Sequence, residues 1–102
     1  MKMIKYKDNW YCYLLSCSDG SYYCGISNDL ANRVNKHNIG KASKYTRGRL
    51  PVRLIWHEYC GTKSKALKRE CQVKKYSRKK KEMIVFYDNN CPYPWGNYYD
   101  GQ

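Results

Sequence analysis

The sequence predicts an α/β or α+β fold, a small three-stranded sheet flanked by about three helices in the order β-β-α-β-α-α. Three observations lead there. Aromatic and aliphatic runs of strand length occupy residues 10–17, 22–26 and 52–60. The first two runs are joined by SDGS, a hairpin turn signature. The segments after the second and third runs change to helical spacing, with capping residues at their starts.

The first strand is WYCYLLSC, residues 10–17. In the turn at 18–21, Gly20 is able to take positive φ, and YYCGI at 22–26 returns antiparallel. A helix runs from Asp29 to Ile39, with Ser27 or Asn28 available as N-cap and Gly40 placed to end it. KASKYTRGRLP, residues 41–51, is a basic loop closed by Pro51, and VRLIWHEYC at 52–60 is the third strand. Gly61 and Thr62 open a second helix over about 63–76, and a short third helix follows Ser77 through RKKKEMIV. These elements predict a domain over residues 1–85. The remainder, FYDNNCPYPWGNYYDGQ at 86–102, has no Lys or Arg, two prolines and six aromatic residues, and reads as a C-terminal tail.

With 102 residues there is room for one domain. A mean hydropathy of -0.91 and the lack of a long apolar run exclude a membrane-spanning helix. The start, MKMIKYKDNW, lacks the apolar stretch of a signal peptide, which predicts an intracellular protein. Twenty Lys and Arg against eight Asp and Glu give a net charge of +12, and fifteen of the twenty fall between Lys41 and Lys81. A field that concentrated, interleaved with aromatic residues, favours nucleic acid as partner over a solvated face or an anionic membrane. The six cysteines form no C-x-x-C pair, which argues against a zinc ribbon or finger and for reduced, partly buried thiols.

Two helix faces carry residues that a plain core would not. Starting at Leu30, the core-facing positions of the first helix are Leu30, Arg33, Val34 and His37. On the second helix Ala66, Leu67, Glu70, Val73 and the stem of Lys74 share one arc, with Glu70 near its middle. A carboxylate there is costly unless paired or bound to a cation. An i,i+4 pair with Lys74, worth about 0.2–0.5 kcal/mol, would not explain the inward placement. Arginine, a lone carboxylate, and a tyrosine or histidine are the groups that phosphodiester hydrolysis uses. Arginine grips phosphate oxygens in a planar, bidentate way. One carboxylate with water and phosphate oxygens suits Mg²⁺. A tyrosine or histidine beside the arginine takes a proton from water.

Tyr13, then Tyr23-Cys24-Gly25 ten residues on, then Arg33, His37 and Glu70, resembles the pattern of the GIY-YIG endonuclease family over roughly residues 10–83. KYTRGRLPVRLIWHE at 44–58 is similar to the basic loop and third strand of its small stand-alone members, those akin to the nuclease domain of the excision-repair protein UvrC. SKALKRECQVKKYS at 64–77 is similar to their Glu-bearing helix. The resemblance implies an antiparallel sheet and metal-dependent cleavage of DNA with one Mg²⁺ or Mn²⁺. It also implies roles: Tyr13 and Tyr23 as the motif tyrosines with one of them, Tyr23 the preferred one, as general base; Arg33 on the scissile phosphate; His37 hydrogen-bonded to the nucleophile or to a tyrosine; Glu70 as the metal's protein ligand. The chain departs from the pattern in having Tyr11-Cys12 for Gly-Ile and Cys24 for Ile. Ile26 stands where some members have lysine, and Glu82 where some have asparagine.

Phosphate contacts are expected from Lys41, Lys44, Arg47, Arg49 and Arg53 in the loop, and from Lys74 and Lys75. With no separate DNA-reading domain, sequence specificity should be low, leaving a structure-selective or partner-dependent nuclease of DNA repair or recombination. The alternative is a nucleic-acid-binding module that keeps the fold without catalysis. Register discriminates. A two-residue turn pairs Ser16 with Tyr23 and puts the motif tyrosines on opposite faces. A three-residue turn with Gly20 left-handed shifts the pairing by one, sets Cys17 opposite Tyr23, and returns both tyrosines to one face.

Overall fold

Three antiparallel strands form a sheet whose aliphatic, aromatic and cysteine side chains pack on both faces. In the computed structural model, which describes residues 8–89, they are β1 (Trp10–Ser16), β2 (Tyr22–Ser27) and β3 (Arg53–Gly61), in the order β2-β1-β3. The helices are α1 (Leu30–Asn38), α2 (Lys44–Arg47), α3 (Lys63–Lys75) and α4 (Arg78–Asn89). The sheet, its antiparallel sense and the element order agree with the sequence reading.

α2 is the addition. The basic loop contains one helical turn, because the Ser43 hydroxyl accepts from Tyr45 N–H at 3.0 Å and the turn buries Thr46 completely. Cap choice differs too: α1 is capped by Asp29, which accepts from Asn32 N–H, while Ser27 Oγ accepts from Asp29 N–H one step earlier. Gly40, at φ 79°, follows α1 as expected, and Thr62 caps α3. Leu67, placed in the apolar arc of α3 by spacing, is 46% exposed. α4 continues through Asn89, beyond the predicted RKKKEMIV, and residues 90–102 with Cys91 lie outside the described residues.

The hairpin has a three-residue loop. Cys17 N–H donates to Ser21 O at 2.8 Å, Gly20 N–H donates to Cys17 O at 2.9 Å, and Gly20 is left-handed at φ 86°. Asp19 fastens the loop by accepting from the Ser21 N–H and hydroxyl. Tyr13 therefore pairs with Gly25 and Tyr23 with Leu15, and the two tyrosines share a face. The expected partner of Cys17 was wrong: the loop closes on Cys17 and Ser21 directly, so Tyr23 lies two positions further along. A shift of two preserves the face.

Each face of the sheet has its own core. Tyr13, Leu15, Cys17 and Val52 pack with Tyr23, Leu30, Val34, Leu50 and Leu54 on the α1 side. Cys12, Leu14, Cys24, Ile55, Trp56 and Val73 pack with Tyr76, Ile84 and Val85 on the α3–α4 side. A bulge between β1 and β3, where Leu14 pairs with Trp56 but Leu15 with Leu54, lets Ile55 and Trp56 both join the second core. None of the described helices is long and apolar enough to cross a membrane, and the five described cysteines are free thiols.

The loop geometry yields a test. Gly20 has open space around its Cα but a left-handed backbone. Gly20→Ala should lower stability by about 1–2 kcal/mol in urea unfolding through backbone strain alone.

Candidate active site

Strand alternation sends Tyr13 from the middle of β1 toward α1, where it is 2% exposed. Its ring lies over Gly25 across the ladder. A Cβ at Gly25 would sit 2.6 Å from Tyr13 Oη and 2.8 Å from Cζ, so the missing side chain is what lets the ring lie there. The phenol oxygen meets His37 Nε2 at 3.0 Å. His37, near the end of α1 and 1% exposed, has its second ring nitrogen 2.8 Å from Thr46 Oγ1 in α2. The Tyr23 ring stands edge-on to His37 with centroids 5.2 Å apart and stacks on Tyr45 at 5.9 Å. Arg49 covers the Tyr45 ring at 3.9 Å and is held there by Asp19 at 2.9 Å. Tyr13, Tyr23 and His37 thus form one contact set, locked from above by α2.

Arg33 lies one turn before His37 on α1, half-buried, and makes no hydrogen bond or ion pair among the described residues. Its charge is available to an anion, and it acts on its neighbours. Burial holds the His37 imidazole below its usual range, and Arg33 pushes the same way, so the ring is neutral at neutral pH. Burial pushes the Tyr13 phenol far up, with Tyr23 adding and Arg33 opposing, so this phenol keeps its proton.

Glu70 is at the centre of the buried strip of α3, between Ala66 and Val73, with its side chain 19% exposed. Lys74 Nζ lies 3.4 Å from its carboxylate, so the modest i,i+4 pair exists. Because α3 covers the face opposite α1, Glu70 comes to the sheet from the other side, and among the described residues it shares no hydrogen bond or ion pair with Tyr13, Tyr23, Arg33 or His37. Its charge still reaches Cys12, Cys24 and Tyr13 and pushes each upward, although at Cys24 the hydrogen bond with Cys12 wins and the net shift is downward. Among the described residues no cluster of three or more His, Cys, Asp or Glu surrounds it.

The basic residues divide likewise. Lys41, Lys44, Arg47 and Arg53 are exposed around α1, α2 and the start of β3. Arg49 is engaged by Asp19, the Tyr45 ring and the Tyr45 carbonyl, and Lys74 by Glu70, while Lys75 is exposed on α3. Sequence reasoning missed Tyr45 and Thr46. The signal was Ser43, a capping residue that marks a helical turn inside the loop.

The GIY-YIG catalytic domain family matches residues 9–83. A UPF0213 protein of Bacillus pumilus is 48% identical over 79 residues, covering 78% of this chain and 81% of its own. A UPF0213 protein of Staphylococcus aureus (strain Mu3) is 47% identical over 78 residues, covering 76% and 95%. The solution NMR structure of the UPF0213 protein BH0048 from Bacillus halodurans superposes with a TM-score of 0.53 at 42% identity, over 87% of this chain and 92% of that one.

The tyrosine–glycine and histidine contacts each predict a measurement. Gly25→Ala forces the Tyr13 ring out of place and should lower stability by about 1–3 kcal/mol in urea unfolding. His37 has a folded-state pKa below its unfolded value of about 6.5, so the unfolded chain takes up the proton first. Its stabilising contribution is therefore complete above about pH 6.5 and lost as pH falls through the folded value. Stability measured between pH 7.5 and 5 should fall in the wild type, and His37→Gln should remove that part of the slope.

Proposed function

The chain belongs to the GIY-YIG catalytic domain family, and on that premise we propose that it is a metal-dependent endonuclease hydrolysing DNA phosphodiester bonds. The observation that carries the reading is a half-buried Arg33, without a hydrogen bond or ion pair among the described residues, one turn from the Tyr13–His37 hydrogen bond. Arg33 binds the scissile phosphate through two N–H groups and stabilises the charge that grows on its oxygens. Tyr23, less buried than Tyr13, takes the proton of the attacking water. Tyr13 stays protonated, and the neutral His37 holds it in place.

Nucleases of the family generally use a divalent metal ion. A single carboxylate fits Mg²⁺ or Mn²⁺, which accept water and phosphate oxygens for the remaining positions, and does not fit a protein-only cage. Glu70 is the residue that would hold the ion, with Lys74 balancing its charge until then. When bound, such an ion polarises a phosphate oxygen and stabilises the leaving oxygen.

DNA is the substrate that the family and the +12 charge support. Exposed Lys41, Lys44, Arg47 and Arg53 contact its backbone on one side and Lys75 on the other. Contacts to phosphate do not read bases, so cleavage follows DNA structure or a protein partner, which fits a repair or recombination role. A second reading, binding without catalysis, draws on the Glu70–Lys74 pair, which satisfies the carboxylate with no ion.

Cleavage of plasmid, flap and branched DNA in Mg²⁺ or Mn²⁺ tests the proposal. Arg33→Ala and Glu70→Ala should each cut roughly 100-fold more slowly or worse while still retarding DNA in gels. A wild-type protein that binds these substrates and cuts none of them is the binding module instead.

A further inference from the structure

The buried contacts beside Tyr13 do not stop at His37. Tyr13 Oη, His37 Nε2, His37 Nδ1, Thr46 Oγ1 and the Ser43 carbonyl form one chain, with separations of 3.0, 2.8 and 3.4 Å at its three hydrogen bonds. A hydroxyl has one proton and a neutral imidazole has one, so the chain must run in one direction or the other.

Toward Ser43, every proton finds an acceptor. The Tyr13 O–H donates to Nε2, the Nδ1–H donates to Thr46 Oγ1, and the Thr46 hydroxyl donates to the Ser43 carbonyl, which can only accept. In the reverse direction Thr46 donates to Nδ1 and the Nε2–H donates to Tyr13. The Tyr13 proton then has no acceptor in the protein before a substrate water arrives, because this buried hydroxyl has no other hydrogen-bond partner among the described residues. Buried donors without acceptors are strongly disfavoured, which selects the first direction.

We propose that Thr46 is a positioning residue whose hydroxyl fixes His37 as the Nδ1–H tautomer, so that the Tyr13 oxygen faces the site as a hydrogen-bond acceptor. The inference rests on the reading above, in which Tyr13 and His37 serve cleavage. Its consequence is directional. A Tyr13 oxygen whose own proton points at Nε2 accepts a hydrogen bond from water, leaving both of the water's lone pairs free to attack phosphorus while Tyr23 takes the other proton. With the opposite tautomer, Tyr13 donates to the water, takes up one of its two lone pairs and draws electron density from the nucleophile.

Nitrogen NMR of the full chain, labelled at histidine and recorded near pH 7.5, reads the tautomer directly. The His37 signals are identified by their loss in His37→Gln. Wild-type protein should carry the proton on Nδ1. Thr46→Val, similar in shape but without a hydroxyl, should transfer a large share of it to Nε2, and Thr46→Ser should restore the wild-type pattern. In cleavage assays Thr46→Val should lower kcat by about tenfold or more with DNA affinity unchanged, and Thr46→Ser should stay near wild type. A wild-type proton on Nε2, or a tautomer unmoved by Thr46→Val, overturns the proposal. If wild type cuts no DNA, the nuclease reading fails, and the NMR result still decides the tautomer.

Discussion

The hydrogen bond between Tyr13 and His37 is the contact on which the rest of the site depends. It forms only if the hydroxyl end of the Tyr13 ring lies over its cross-strand neighbour, which requires Gly25 to have no side chain. Gly25 is opposite Tyr13 only because the hairpin loop has three residues and Gly20 is left-handed. A conformational choice at one exposed glycine is thereby transmitted along the ladder to a buried phenol about fifteen Å or more away, at roughly 3.4 Å per residue. The same register sends Tyr23 to the α1 face, where His37 and Tyr45 hold its ring.

α2 makes this arrangement rigid and links it to the basic surface. Its two central residues, Tyr45 and Thr46, touch Tyr23 and His37, while Lys44 and Arg47 on either side are exposed. Arg49, pinned between Asp19 and Tyr45, ties this turn back to the hairpin loop. The sheet itself separates the charges. Arg33 is on α1 and Glu70 on α3, helices that cover different faces of the sheet, so the two charges do not pair with each other.

Much of this was legible in the sequence. Strand runs, the DG turn and capping residues placed the three strands and three of the helices to within a few residues, because period and turn chemistry are local properties. Arg33, His37 and Glu70 stood out because each breaks an apolar face. The error at Cys17 arose because the loop signature specifies face more firmly than partner: both registers satisfy the same alternation. α2 and the role of Thr46 were hidden because one helical turn has no period, and because a buried threonine looks like any other loop residue until its neighbour is known. Leu67 was misplaced because α3 turns only a narrow strip toward the sheet, and spacing alone does not give the width of that strip.

The central proposal is that Arg33 and a metal ion held by Glu70 serve the same phosphodiester bond. Crystals of the full chain with an uncleavable phosphorothioate DNA, soaked in Mn²⁺ and measured for anomalous scattering, test it most directly. One metal peak is expected beside the Glu70 carboxylate, with Lys74 displaced, and a phosphate shared between that peak and Arg33. A phosphate bound away from Arg33, with Glu70 still paired to Lys74 and no metal beside it, would contradict the account.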